Sequence, residues 1–99
     1  MQLELHPDAT IEAREARLWY AERSAEAATR FFLELERALD LIAETPMRWP
    51  VRSGVRKYVM HRFPFVIFFR VRDPKVEVIA VAHARRRPRY WKDRLRSGI

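Results

Sequence analysis

The chain has 99 residues, of which 48% are hydrophobic, so it accommodates one domain with a buried core and no second core. It contains no cysteine, which excludes disulfides and thiolate metal sites, and no apolar run approaches the roughly 20 residues that span a bilayer. Its net charge of +7 favours a polyanion or an acidic protein as partner. We expect a cytoplasmic protein without a signal peptide, because Glu4, His6 and Asp8 lie where an apolar stretch would be needed.

The first predicted element is a short strand from Gln2 to Leu5, which alternates polar and apolar residues and ends at His6-Pro7. Asp8 is the predicted N-cap of a first helix, because its carboxylate can accept backbone N–H bonds. That helix is expected to run from Ala9 to about Glu22.

A second helix is predicted to begin after Ser24, whose hydroxyl is a suitable N-cap. It is expected to end at Thr45-Pro46, since the residue before a proline avoids the α region. Apolar residues follow at helical spacing and form one continuous stripe. They are Ala28, Phe31, Phe32, Leu35, Leu39 and Ile42. The two helices should therefore form an antiparallel hairpin.

The last third of the chain contains three runs rich in aromatic and β-branched residues, separated by Phe63-Pro64 and Asp73-Pro74. Short breaks of this kind connect antiparallel neighbours, so the pattern predicts a three-stranded meander. Residues 1–99 are thus expected to form a single α+β domain of order β-α-α-β-β-β, with the helical hairpin packed on an antiparallel sheet.

If both hairpin turns have two residues, Lys57 lies opposite Arg70, and Arg70 lies opposite Glu77. Alternation then assigns each strand residue to one of two faces, although a one-residue slip would exchange them. The face expected to meet the helices carries Tyr58, Met60, Phe65, Ile67, Phe69, Val76, Val78 and Ala80. The other, mixed face carries Lys57, Val59, His61, Val66, Phe68, Arg70, Glu77, Ile79, Val81 and His83. Its apolar middle is expected to be exposed and to bind a partner.

Half of the 20 Lys and Arg residues lie from Arg70 onward. Only Asp73, Glu77 and Asp93 oppose them there, which predicts a basic surface at this end of the chain. The densest part is the run from Arg85 to Arg89, which is followed by two aromatic residues. A solvated charge cluster without a binding role is the alternative interpretation of this run.

Several segments together resemble the RelE/ParE superfamily of small bacterial toxins from type II toxin–antitoxin modules. The strongest is the segment after the last predicted strand, which is similar to the "LHxRR" ending of ParE-like plasmid-stabilisation proteins. The segments that carry the resemblance are Leu5-His6-Pro7, Trp19 to Ser24, Phe63-Pro64-Phe65, Phe68 to Val71, and Val81 to Arg86 with Pro88 and Trp91.

The resemblance implies a growth-inhibiting toxin, ParE-like, that acts on DNA gyrase and is held inactive by a cognate antitoxin wrapped across it. It implies contact with operator DNA only through the antitoxin, and neither a cofactor nor a membrane association. We expect the target to be bound by Arg85, Arg86, Arg87, Arg89, Tyr90 and Trp91. We expect the antitoxin to be bound by Lys57, Val59, His61, Phe68, Arg70, Ile79 and Val81.

Two alternatives stay open. The first is a metal-free, ribosome-dependent mRNA endoribonuclease of RelE type, in which His83, Arg85 and Tyr90 would supply acid–base chemistry and charge. RelE-like nucleases carry an arginine early in the strand that begins here at Phe65, whereas this chain has Val66. The second is an inactive remnant that only binds its partner or DNA. Isolated histidines without an HExxH spacing make a metal site unexpected.

Overall fold

A computed structural model describes residues 1–96 of the chain. Two helices pack on one face of a four-stranded sheet, and short 3-10 helices cover Pro46–Arg48 and Lys92–Arg96. The elements are β1 (Gln2–Leu5), α1 (Pro7–Ala21), α2 (Ala25–Glu44), β2 (Arg56–Val59), β3 (Phe65–Arg72) and β4 (Lys75–His83). The predicted α+β class and the element order are confirmed.

The two helices begin at different kinds of cap. Ser24 caps α2 as predicted, since its hydroxyl oxygen accepts the N–H of Ala27 at 3.1 Å. The prediction for α1 was wrong: His6 is the N-cap, and its Nδ1 accepts the N–H of Asp8 at 3.0 Å. Pro7 fits the first helical position because it has no N–H to satisfy. Asp8 therefore lies in the first turn, where its charge favours the positive end of the helix dipole.

The sheet has the strand order β1-β4-β3-β2 and is mixed, because β1 runs parallel to β4 while the other neighbours are antiparallel. The β3–β4 turn has the predicted two residues, and Arg70 lies opposite Glu77. The β2–β3 connection is longer, because Val59 pairs with Val66 and leaves residues 60–65 between them. Lys57 consequently lies opposite Phe68, and its predicted pairing with Arg70 was wrong. The predicted register of β2 against β3 is off by two residues, and because side chains alternate with a period of two, each β2 residue stays on its predicted face.

A β-bulge in β4 changes which residues share a face. The register shifts between Phe68 and Phe69, which leaves Ile79 as an extra residue in β4. An extra residue reverses the alternation after it, so the predicted faces beyond this point were wrong. The three residues that exchange faces are Ala80, which leaves the helix side, and Val81 and His83, which join it.

The main core lies between the helices and the helix-side face of the sheet. Helix α2 contributes a stripe of buried residues to this core. Phe32 lies at the margin of that stripe and is 36% exposed. Buried members of this core are Ala9, Ala16, Phe31, Leu35, Ala38, Ile42, Tyr58, Met60, Ile67, Phe69, Val76, Val78 and Val81. Trp49 closes one end, with its ring 5.6 Å from that of Tyr58.

The outer face of the sheet, opposite the helices, is covered rather than open. The chain returns across it after β4, in a C-terminal segment that we define as residues 84–96. Trp91 from this segment is buried with Val55, Ile79 and Ala80 in a second cluster, against which Phe68 packs. The prediction of an exposed apolar middle on this face was therefore wrong, because the chain's own C-terminal segment supplies the covering layer.

Candidate target-binding surface

The C-terminal segment brings the predicted basic residues to one exposed turn. It leaves β4 through a bond from the Arg86 N–H to the His83 carbonyl at 2.9 Å. Arg89 adopts a left-handed backbone with φ 59°, which redirects the chain toward the sheet. The four predicted cations, Arg85, Arg86, Arg87 and Arg89, are all exposed.

The two aromatic residues of the predicted target-binding set hold the segment in place. Trp91 is 3% exposed, and its ring lies 5.0 Å from the ring of Phe68. Tyr90 is half-buried, and the Arg86 guanidinium stacks 3.8 Å from the centre of its ring. These rings therefore fix the backbone from which the arginines project, and the large apolar surface of Trp91 is not accessible to a partner.

Glu12 of α1 is the residue on which the segment converges. Its Oε2 accepts the Tyr90 hydroxyl at 2.7 Å and Arg94 Nη2 at 2.9 Å. Its Oε1 accepts Arg94 Nη1 and the Val81 N–H, each at 3.0 Å. The side chains of Glu12 and Arg94 are only 12% and 14% exposed. One carboxylate thus joins α1, β4 and the C-terminal segment.

The Glu12–Arg94 ion pair also supplies hydrogen-bond partners to the edge of β4 that faces β1. Strand β1 ends at Leu5, opposite Val78, so in the described chain it leaves the later part of β4 without a neighbouring strand on that side. Buried backbone groups need partners, and side chains can provide them. Glu12 accepts the N–H of Val81, and Arg94 donates to the carbonyl of Ile79 at 3.0 Å.

These contacts shift the acid–base properties of both groups. Burial alone would raise the pKa of Glu12, but hydrogen bonds from Arg94, Tyr90 and Val81 stabilise the carboxylate and bring its pKa below the ordinary 4.5. Burial and the bond to Glu12 both raise the pKa of Tyr90 well above its ordinary 10.0. Tyr90 therefore stays a neutral phenol, and its hydroxyl hydrogen is held in the hydrogen bond to Glu12.

The nuclease candidates are only partly brought together. His83 and Tyr90 both line a shallow cleft of about 200 Å³, but Arg86 rather than Arg85 lines it with them. Nδ1 of His83 accepts the N–H of Arg85 at 3.1 Å, which leaves Nε2 as its remaining polar atom. Tyr90 would have to break its bond to Glu12 to protonate a leaving group. In this structure Tyr90 thus acts as an anchor for the segment, and the three candidates do not all line one cleft.

The predicted antitoxin-binding residues divide by exposure. Three of them, at or next to the edge strand β2, are exposed: Lys57, Val59 and His61. Phe68 is half-buried beneath the C-terminal segment. Arg70 is half-buried, with its Nε donating to Glu77 at 2.8 Å and Nη1 to the Leu95 carbonyl at 3.0 Å. Ile79 and Val81 are buried in the free chain, at 0% and 1% exposure.

Comparison with known proteins identifies the family. A family model described as the ParE toxin of type II toxin–antitoxin systems, parDE, matches residues 3–88. The chain belongs to the ParE toxin family. A search of curated proteins finds no significant match.

The fold also resembles a solved member of such a system. The chain superposes on a chain from the chromosomal ParDE toxin–antitoxin system of P. aeruginosa with a TM-score of 0.74 and 17% sequence identity. The match covers 84% of this chain and 95% of the other. At this identity the likeness establishes the ParE-like fold. Membership of a ParE family implies an antitoxin partner.

Sequence reasoning missed the two residues that anchor the C-terminal segment of this ParE family member. Glu12 lies one turn from the buried residues Ala9 and Ala16, so an acidic residue inside an apolar helix stripe was the available signal. Nothing in the sequence distinguished Arg94 from the other arginines near the C-terminus. The match to the ParE family model ends at residue 88 and therefore does not include Arg94.

The described part of the chain offers neither a metal centre nor a membrane span. Within residues 1–96, no three His, Asp or Glu side chains gather closely enough to hold a metal ion. In the same range, no helix combines the length and the apolar character needed to cross a membrane.

Proposed function

We propose that this ParE family member is a cytoplasmic growth inhibitor that acts on DNA gyrase and is neutralised by its cognate antitoxin. Gyrase is an enzyme that holds DNA, so a basic surface of fixed shape can engage either its acidic surface or the phosphates of that DNA. The observation that carries the proposal is the exposed turn of arginines held rigidly by Trp91 and by the Glu12 network.

The turn has the charge density that such binding needs. Residues 84–91 contain four arginines and no acidic residue. Arginine presents a planar fork of donors that fits carboxylates and phosphates alike. Because Tyr90 and Trp91 anchor the backbone, little backbone conformational entropy remains to be lost on binding.

A mechanism without catalysis fits the local chemistry better than RNA cleavage. The Tyr90 hydroxyl is committed to Glu12, and its raised pKa makes it a poor proton donor at neutral pH. Binding to a target enzyme requires no acid–base pair. This supports gyrase over mRNA as the target.

Neutralisation by an acidic antitoxin segment is supported by the exposed edge of the sheet. Within residues 1–96, strand β2 has a neighbouring strand on one side only, and its side chains Lys57 and Val59 are exposed on the outer face. An extended partner can pair with such an edge through main-chain bonds. Its acidic side chains would then meet a strongly basic surface.

The test compares the two targets directly. Purified toxin is added to DNA gyrase in supercoiling and cleavage assays, and in parallel to ribosomes translating a defined mRNA. The proposal expects inhibited gyrase and intact message; cleaved message with unaffected gyrase would refute it. Induction of the chain in growing bacteria should arrest growth, and normal colonies from folded protein would indicate an inactive remnant.

A matched pair of variants locates the surface. Arg85→Ala with Arg86→Ala should abolish growth arrest while circular dichroism shows a folded protein. Arg14→Ala with Arg37→Ala removes the same charge from exposed helix positions and should leave the arrest in place. Equal toxicity of the two double variants would place target binding elsewhere.

A further inference from the structure

A second concave site lies on the outer face of the sheet, beside the arginine turn. It is a cleft of about 320 Å³ between the loop after α2 and the C-terminal segment. Its floor is apolar and includes the half-buried ring of Phe68. The residues that line it are Pro50, Arg52, Ser53, Val55, Lys57, Phe68, Pro88, Arg89 and Trp91.

The charge of this cleft has one sign. Arg52, Lys57 and Arg89 line it, and no carboxylate of the described residues does. The shallow cleft beside His83 and Tyr90 adjoins it, shares Lys57, Phe68 and Arg89, and adds Arg86 and Arg87. The two clefts therefore form one groove, with five arginine or lysine side chains along an apolar floor.

Backbone strain is concentrated at the same place. In residues 1–96, two non-glycine residues have a left-handed backbone, Ser53 with φ 54° and Arg89 with φ 59°, and both line this cleft from opposite sides. The Ser53 turn is closed by two main-chain bonds between Arg52 and Val55, at 2.7 and 3.1 Å. A tight turn of this kind requires positive φ at both central residues, here Ser53 and Gly54 (φ 82°), so the turn itself sets the Ser53 conformation and fixes that wall of the cleft.

We propose that this cleft binds a nucleotide, with the base on Phe68 and the phosphate on Arg52, Lys57 and Arg89. Guanidinium forks suit phosphate oxygens, and the part of the Phe68 ring that Trp91 leaves exposed gives a base an apolar contact surface. The cleft has the volume of a small-ligand site. Its continuation past Arg86 and Arg87 gives room for the next phosphates of a strand.

The same chemistry is presented by a free nucleotide and by one unit of a nucleic-acid strand. An acidic peptide is a different class of ligand, and its extended main chain is better matched to the edge of β2 than to a concave cleft on the face of the sheet. The proposal does not depend on gyrase, because the chain alone supplies every group named.

The full chain is titrated into fluorescein-labelled oligothymidylate of ten residues, and into a labelled polyglutamate peptide in a parallel series. Adenosine monophosphate is then added as a competitor of the oligothymidylate. Binding is followed by fluorescence anisotropy across a salt series. Oligothymidylate is expected to bind more tightly than polyglutamate of equal charge. If adenosine monophosphate displaces the oligothymidylate, a free nucleotide is enough to fill the cleft. If it does not, the ligand is a nucleic-acid strand. Equal or tighter binding of polyglutamate overturns the proposal.

Two variants assign the binding to the cleft. Arg52→Gln with Lys57→Gln should weaken the oligonucleotide complex about tenfold or more and lower the slope of log K against log salt by about 0.7 for each phosphate that is no longer neutralised. Arg14→Gln with Arg37→Gln removes equal charge outside the cleft and should have a small effect. Equal losses in the two double variants would mean non-specific attraction to a basic protein and would overturn the assignment.

The ring is tested separately. Phe68→Leu keeps an apolar side chain beneath Trp91 but removes the stacking surface, so affinity should fall while the salt slope stays unchanged. An unchanged affinity would contradict the placement of the base. A chain that failed to inhibit gyrase could still bind the oligonucleotide in these titrations, so the two proposals can fail independently.

Discussion

Replacing Glu12 by glutamine would remove one negative charge from the point where α1, β4 and the C-terminal segment meet, while nearly preserving the size of the side chain. The amide oxygen can still accept the N–H of Val81. Arg94, only 14% exposed, would lose its charged partner Glu12 and keep the Asp8 carboxylate at 3.6 Å. The Tyr90 hydroxyl would donate to a neutral group or to none.

The expected cost follows from these contacts. Breaking a buried ion pair by removing one partner costs about 3–5 kcal/mol, and hydrogen bonds to charged groups contribute about 1.5–3 kcal/mol each. Asp8 and the retained Val81 bond offset part of this loss. We therefore expect Glu12→Gln to lower the free energy of unfolding by about 2–3 kcal/mol, which corresponds to a decrease of roughly 8–24 °C in Tm for a domain of this size.

The assay is urea unfolding at pH 7, followed by far-ultraviolet circular dichroism. Glu15→Gln is the matched control, because Glu15 is an exposed glutamate of the same helix and its change should stay within about 0.5 kcal/mol. Amide hydrogen exchange should also become faster in residues 84–96 of the Glu12 variant. If the two variants were equally stable, the Glu12 network would not hold the segment in solution and the reasoning would be refuted.

Three further predictions concern pH, packing and the partner. The pKa of Glu12 lies below 4.5 in the folded state, so the ionised carboxylate contributes fully to the free energy of unfolding above that pH and loses this contribution as pH falls through the lowered pKa. The difference in stability between wild type and Glu12→Gln should therefore shrink on acidification, and a constant difference would contradict this. Trp91→Ala should lower the free energy of unfolding in urea by about 3–5 kcal/mol. Trp19 is 52% exposed, so Trp19→Ala should lower it by about 1 kcal/mol or less, and equal losses would contradict the anchor role of Trp91. Val59→Asp should weaken the antitoxin complex by about 2 kcal/mol in calorimetry. Val51→Asp, at the same 57% exposure, should not, and equal affinities would move the interface away from β2.

The order of elements could be predicted because its signals are local. The Ser24 cap and the Thr45-Pro46 stop each act within a few residues, and so does the Asp73-Pro74 turn. A capping hydroxyl or a proline restricts the backbone next to it whatever the rest of the chain does. The fold class followed from these signals and from the resemblance to the superfamily.

The details of the sheet could not be predicted in the same way. The bulge at Ile79 has no local signal, since an isoleucine fits a regular strand equally well, yet it reverses the alternation that assigned Val81 and His83 to a face. The covering of the outer face depends on contacts between residues far apart in sequence: Glu12 and Arg94 are separated by 82 positions. Such pairs are set by tertiary packing rather than by sequence pattern.

The arrangement at the outer edge of β4 bears on how the chain avoids self-association. An unpaired strand edge is a template on which another copy can add a strand, and natural sheets protect such edges with charged side chains or covering segments. Here the Glu12 carboxylate and the Arg94 guanidinium occupy the Val81 N–H and the Ile79 carbonyl, at the place where β1 no longer reaches. The same two side chains that hold the arginine turn thus also block this stretch of the β4 edge against an added strand, whereas the β2 edge stays open to a partner.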